Sequence, residues 1–273
     1  MGTYLNAALI KQGKSTIAMS RKTGDVVDAS TWADLPPCKE VIHLASYTDV
    51  RRSWDEPAMC LGQNTLGTLN CLEYCRKNNS RLIFLSSYLY GDPELLPTPE
   101  FAATTNANPY ALSKHMGEEM VMFYRNSYDV PAIIIRPFNI YGIGMSRHFM
   151  IPAIITQAIQ ECKIELFNFE TERDFIHVKD IVSLIVKVVD SEVIDGTYNA
   201  GSGKSYSSLA IAKSIANNFV EAIELKEISP NSKVNILKTQ ANIDRAIHEF
   251  GWEPLIDIEM GLAEMVLAYK NSQ

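Results

Sequence analysis

This 273-residue chain is poor in cysteine, has no basic surplus and contains no long apolar run. Its five cysteines (38, 60, 71, 75 and 162) are an odd number, so no full disulfide framework is possible. The reading is reduced thiols in a cytoplasmic protein. Cys71 and Cys75 stand one helical turn apart but lack a second ligand pair. The five histidines form no His-x-x-x-His, so no metal site is expected. Acidic residues exceed basic ones, 32 to 25, for a net charge of −7. That balance argues against a nucleic-acid partner. No stretch reaches the roughly 18 apolar residues of a membrane span; the longest candidate, 181–189, is broken by Ser183 and Lys187. The chain as given opens without the basic n-region and cleavage site of a secretory signal.

What is present is an ordinary apolar content of 47%, enough for a large core without staples. Apolar runs at 16–19, 40–45, 81–86 and 131–136 read as buried strands. Between them, 3–11, 64–76 and 109–128 show helical spacing. Gly13 is placed to end the first helix and Pro109 to open the third. Strands alternating with helices imply a parallel sheet covered on both faces. Further on, 151–162, 178–189, 207–219 and 260–269 read as helices and 196–200 as one more strand. The fold class is therefore α/β: a doubly wound parallel sheet with a smaller C-terminal α/β lobe. The nucleotide-binding part is expected at 1–140 and 174–200, the substrate lobe at 141–173 and 201–273.

The sharpest chemical signal is Tyr110-Ala111-Leu112-Ser113-Lys114. Tyr and Lys four apart lie on one helix face. An ammonium beside a phenol lowers its pKa, which suits general acid–base work near neutral pH. Three strand-end clusters accompany it: Ser86-Ser87-Tyr88-Leu89-Tyr90-Gly91, Arg136-Pro137-Phe138-Asn139, and Arg173-Asp174-Phe175-Ile176-His177. Ligands of open α/β sheets bind at the carboxyl ends of strands. Gly201-Ser202-Gly203-Lys204-Ser205 looks like the end of a phosphate loop. Position 198, where that motif needs Gly, is Tyr, and the phosphate-loop reading is rejected.

Together with His43-Leu44-Ala45, Asn64-Thr65-Leu66-Gly67-Thr68 and Gly251-Trp252-Glu253-Pro254, these segments resemble the extended short-chain dehydrogenase/reductase family. Within it they resemble the NAD(P)-dependent nucleotide-sugar epimerase/dehydratase group, over essentially the whole chain. The resemblance implies a Rossmann-like domain and a catalytic triad of Ser86, Tyr110 and Lys114, with Ser86 four residues before Tyr90 of the Tyr-Gly pair. It implies cofactor contacts from Gly2, Ser20, Arg21, Asp25, Val26, Leu44, Ala45, Asn64, Tyr110, Lys114 and Pro137. It implies nucleotide-sugar contacts from Ser87, Tyr88, Asn139 and Arg173, the last as a diphosphate-binding fork. For Arg173 the plain alternative is a local ion pair with Glu170, Glu172 or Asp174. The cofactor is NAD or NADP, and Ser20-Arg21-Lys22 favours the 2′-phosphate of NADP. Dehydratases of this group carry Asp-Glu where this chain has Ser87-Tyr88, so an epimerase is favoured, with a keto-sugar reductase as alternative. A homodimer through the helices 64–76 and 109–128 is also implied by the resemblance.

Two departures matter. The group opens with a strand and a three-glycine turn, of which only Gly2 has a counterpart here. The expectation is a sheet lacking its first strand: either the natural protein begins further upstream, or the product is an inactive relative or binding protein. The second departure is a missing second phosphate clamp at 229–233, where Lys233 is the only cation.

Overall fold

The structure is a computed structural model that describes residues 1–228 and 236–271; Lys233 and its neighbours lie outside them. Nineteen elements run along those residues. They are α1 (Gly2–Lys11), α2 (Ala29–Ala33), β1 (Glu40–His43), α3 (Val50–Asp55), α4 (Pro57–Asn78), β2 (Arg81–Leu85) and α5 (Pro109–Tyr128). Then come β3 (Ala132–Pro137), β4 (Asn139–Tyr141), α6 (Met150–Glu161), β5 (Lys163–Phe167), β6 (Glu172–His177), α7 (Val178–Val189) and β7 (Asp195–Ala200). The chain continues with β8 (Ser205–Ser207), α8 (Ser208–Ala216), β9 (Glu224–Ile228), α9 (Asp244–Phe250) and α10 (Ile258–Lys270).

The main sheet is parallel, in the order β1-β2-β3-β7. Its two-residue alternation sorts side chains cleanly between the two faces. Leu82, Phe84, Ala132 and Ile134 face Cys71, Leu72, Val121 and Tyr124 of α4 and α5. Ile83, Leu85, Ile133 and Ile135 face Leu5 and Leu9 of α1 and Ile181, Leu184 and Ile185 of α7. The β2 and β3 positions named are all buried, each such large side chain contributing roughly 1.5–3 kcal/mol of transfer energy. This is the doubly covered sheet that the apolar runs imply.

A second group of strands comprises β4-β6-β8 and the pair β5-β9. Its core joins Ile154, Ile155, Ile211, Ile215, Leu262 and Met265 from α6, α8 and α10.

The expected strand at 16–19 does not form. The segment enters no ladder among the described residues, and Ile17 is 57% exposed. A strand exists only where a neighbour accepts its hydrogen bonds, and apolar character alone supplies none. The strand expected at 40–45 ends at His43, leaving Leu44 and Ala45 irregular, and the helix expected at 64–76 extends over all of α4.

Candidate active site

The start of α5 sets the site. The Asn108 side chain accepts from the Ala111 N–H at 2.8 Å, and Pro109 occupies the first helical position. That capping starts the helix so that Tyr110, Lys114 and Glu118 follow at successive turns of one face. Gly117 brings this face close to the sheet. A Cβ there would stand 2.7 Å from Cζ of Phe84, so a side chain at 117 would push α5 off β2.

Lys114 is buried, with its ammonium 4.7 Å from the centre of the Phe84 ring. Among the described residues it makes no hydrogen bond or ion pair. Burial pulls its pKa down to about 8, opposed by the charge of Glu118. Three unused donors on a buried cation are expensive unless a ligand takes them. Ser86, at the carboxyl end of β2, is likewise buried with its hydroxyl unpartnered. His43, at the end of β1, stacks on Phe84 at 5.9 Å and meets the Thr68 hydroxyl at 3.3 Å. Burial, then Lys114, lowers its pKa to about 3, so it is a neutral floor to the site.

Tyr110 corrects one expectation. Its pKa is raised by burial, and the group opposing that rise is the Ser87 hydroxyl, hydrogen-bonded to the phenol. The phenol is therefore protonated at rest.

The cofactor-side residues divide into two kinds. Some are open. Gly2 is exposed at the first position of α1, which has no side-chain cap, and first-turn N–H groups have no intrahelical acceptor. Arg21 and Lys22 sit exposed in a turn tied by Ser20 and Thr23, in no ion pair among the described residues. Asp25 is exposed beside Val26, whose carbonyl accepts from Trp32 at 2.9 Å and Asn70 at 3.1 Å. Leu44 and Ala45 follow β1, with Ala45 exposed. Others are struts. Pro137 is buried at the end of β3. Asn64 spends its amide on the Tyr47 backbone (2.6 and 3.2 Å), Ser46 (3.1 Å) and Ser113 (2.7 Å). It braces the loop after β1 against α5. The open backbone at Gly2, the exposed 20–25 turn and the unpartnered Lys114 and Ser86 fit a dinucleotide laid across the strand ends.

On the substrate side, Asn139 donates to the Asp174 carbonyl at 2.9 Å, leaving its amide oxygen free. Arg173 makes none of the local ion pairs weighed for it among the described residues. Its guanidinium donates to the carbonyls of Glu172 (2.7 Å) and Ile236 (2.9 Å), and the carboxylate of Asp92 acts on it from outside ion-pair distance. Tyr88 lies close to it, packs edge-on to Phe138 at 5.0 Å, and donates to the Gly91 carbonyl. The false phosphate loop is occupied from within. The Asp174 carboxylate accepts from Ser202 N–H (2.7 Å), Gly203 N–H (3.0 Å) and Ala241 N–H (2.9 Å).

Sequence reasoning passed over Glu118 and underused Arg136. Arg136 grips both Glu118 oxygens at 2.9 and 2.6 Å. The signal was the turn-by-turn spacing of 110, 114 and 118. No cluster of metal-ligating side chains is found among the described residues, and none of their helices is long and apolar enough to cross a membrane.

Residues 1–201 match the family model described as the NAD dependent epimerase/dehydratase family. The chain is 30% identical over 256 residues to a UDP-glucose 4-epimerase of Mycolicibacterium smegmatis, covering 90% of this chain and 82% of that protein. It is 27% identical over 254 residues to the GDP-6-deoxy-D-mannose reductase of Pseudomonas aeruginosa, covering 88% and 82%. Among solved structures, that of RMD from Pseudomonas aeruginosa complexed with NADPH superposes with a TM-score of 0.90 at 24% identity, covering 100% of this chain and 96% of that one. Among the described residues the first element is α1, and no strand precedes it in the main sheet.

Proposed function

The chain belongs to the NAD dependent epimerase/dehydratase family, and on that premise we propose that it is a nucleotide-sugar epimerase. The carrying observation is the unpartnered Ser86 hydroxyl at the end of β2 and the Lys114 ammonium of α5 over Phe84, with Tyr110 one turn before Lys114. When bound, NAD(P) supplies the acceptor and donor of hydride. Ser86 holds the sugar hydroxyl that becomes a ketone. Tyr110 takes that hydroxyl's proton and later returns it. Burial raises its pKa and Ser87 opposes that rise, so the phenol serves as base only once it has given its proton to solvent. Lys114 fastens the cofactor's ribose with its free donors. Arg173, a half-buried cation in no ion pair among the described residues, meets the diphosphate, and Asn139 offers its amide oxygen to the sugar. No carboxylate stands at positions 87 and 88, where water elimination would need an acid and a base.

The exposed cations of the 20–25 turn favour NADP over NAD, and that observation also supports a second reading, an NADP-dependent keto-sugar reductase. Incubation with UDP- and GDP-sugars decides between them. Epimer formed with no net change in NAD(P)H absorbance supports the epimerase. Stoichiometric NADPH oxidation without epimer replaces it with the reductase. The working unit in this reading is a homodimer. Exposed Met59 and Leu66 on α4 and Met116 and Phe123 on α5 form an apolar surface suited to a second copy. The reading places the protein in the cytoplasm, where its five free thiols stay reduced.

A further inference from the structure

The buried pair Arg136–Glu118 has no evident reason to exist for stability. Its side chains are 10% and 3% exposed. A buried ion pair roughly breaks even against apolar residues of similar volume. Yet the chain invests heavily in it. Besides Glu118, Arg136 donates to the Tyr90 hydroxyl at 2.9 Å and the Glu100 carbonyl at 3.0 Å. Tyr90 in turn donates to Asn199 at 2.7 Å, on the end of β7. The pair thus ties α5 to the ends of β3 and β7 and to Tyr90 in the loop after β2.

Glu118 is one helical turn beyond Lys114. Lys and Glu at that spacing on a helix are within reach of an ion pair. It does not form, because both Glu118 oxygens are taken by Arg136, and Lys114 stands over Phe84 with its donors free. The other ionisable groups near Lys114 are the Cys60 thiol of α4, the His43 ring of β1 and Tyr110 on its own helix. None of them holds it.

We propose that Arg136 is a positioning residue: by engaging both oxygens of Glu118, it keeps the Lys114 ammonium free of a protein partner and available to the cofactor. This rests on the reading that Lys114 serves a bound nicotinamide dinucleotide. Two readouts on the full chain test it. One is the pH titration of the Lys114 Cε signal by NMR in lysine-labelled protein, assigned by its loss in K114M. The other is NADP and NAD affinity by calorimetry.

In R136Q, Glu118 is released to Lys114. The Lys114 midpoint is expected to rise by about one pH unit and cofactor affinity to fall about tenfold. In the double variant R136Q/E118Q, no carboxylate remains to capture Lys114. Both readouts are expected to return toward wild type, which a merely structural role does not predict. R136K keeps a cation that can grip only one oxygen, so an intermediate rise in the midpoint is expected even where R136Q folds poorly. An unchanged Lys114 midpoint in R136Q and R136K overturns the proposal, as does a double variant as impaired as R136Q. Failure of the underlying reading has a different signature. Wild type and K114M then bind NAD and NADP equally poorly, while the titration still decides the positioning role.

Discussion

Replacing Lys114 by Met should stabilise the protein while it damages the site. Lys114 is 4% exposed, and burial lowers its pKa from 10.5 to about 8. That interval corresponds to roughly 3 kcal/mol paid by the folded state to keep the ammonium charged. Met fills similar volume without charge, and the loss of the contact with Phe84 gives back about 0.5–2 kcal/mol. The net expectation at pH 7 is a gain of about 1–3 kcal/mol, or several degrees in Tm. The sign with pH follows from proton counting. Below about 8 the lysine is protonated in both folded and unfolded chains, and wild type bears the full penalty. Between about 8 and 10.5 the folded chain releases the proton while the unfolded chain keeps it, so wild-type stability rises with pH. The advantage of K114M should therefore shrink by about 1.4 kcal/mol per pH unit over that window and be gone before its upper end. Urea unfolding of both proteins from pH 7 to 10.5 measures this, with NADP affinity as the companion readout, expected to weaken at least tenfold. A K114M less stable than wild type at pH 7, or a gain that does not decline by pH 10.5, would refute the reasoning.

The other expectations are separable. S86A and Y110F should each lower kcat by about 10²–10⁴-fold with cofactor affinity changed less than about threefold; calorimetry beside turnover checks this, and a comparable loss of both speaks against the assigned roles. R173M should raise KM for the nucleotide sugar about 10–100-fold while kcat moves little, and an unaltered KM removes Arg173 from the diphosphate site. R21D should weaken NADP about tenfold and leave NAD unchanged, read by fluorescence titration; equal effects on both cofactors would take the 2′-phosphate away from this turn. F123D should convert a dimer to a monomer in light scattering, since a charge on an apolar contact is costly. A wild type already monomeric at micromolar concentration moves the apolar surface of α4 and α5 to another purpose.

Much of this protein was legible along the chain. The runs at 81–86 and 131–136 became β2 and β3 because continuous apolar character admits one environment, a sheet covered on both faces. Asn108-Pro109 began α5 where capping chemistry says a helix begins, and the spacing from Tyr110 to Lys114 placed both on one face. These are short-range regularities, complete within a turn or a strand.

What the tertiary structure decided depends on partners far away in sequence. The run at 16–19 has a strand's composition but no ladder neighbour to bond it. Tyr110 was expected to be acidified by Lys114. Burial instead raises its pKa with Ser87 opposing, and the Lys114 ammonium stands over Phe84, 30 residues back. Arg173 had three carboxylates within reach in sequence and chose carbonyls, one of them from Ile236, 63 residues on. Asp174 fills the loop that imitates a phosphate site. Desolvation and charge pairing are sums over whatever surrounds a group in space. Local sequence could therefore nominate the catalytic face, while the fold alone decided which of its charges are spent on the protein and which are left for a ligand.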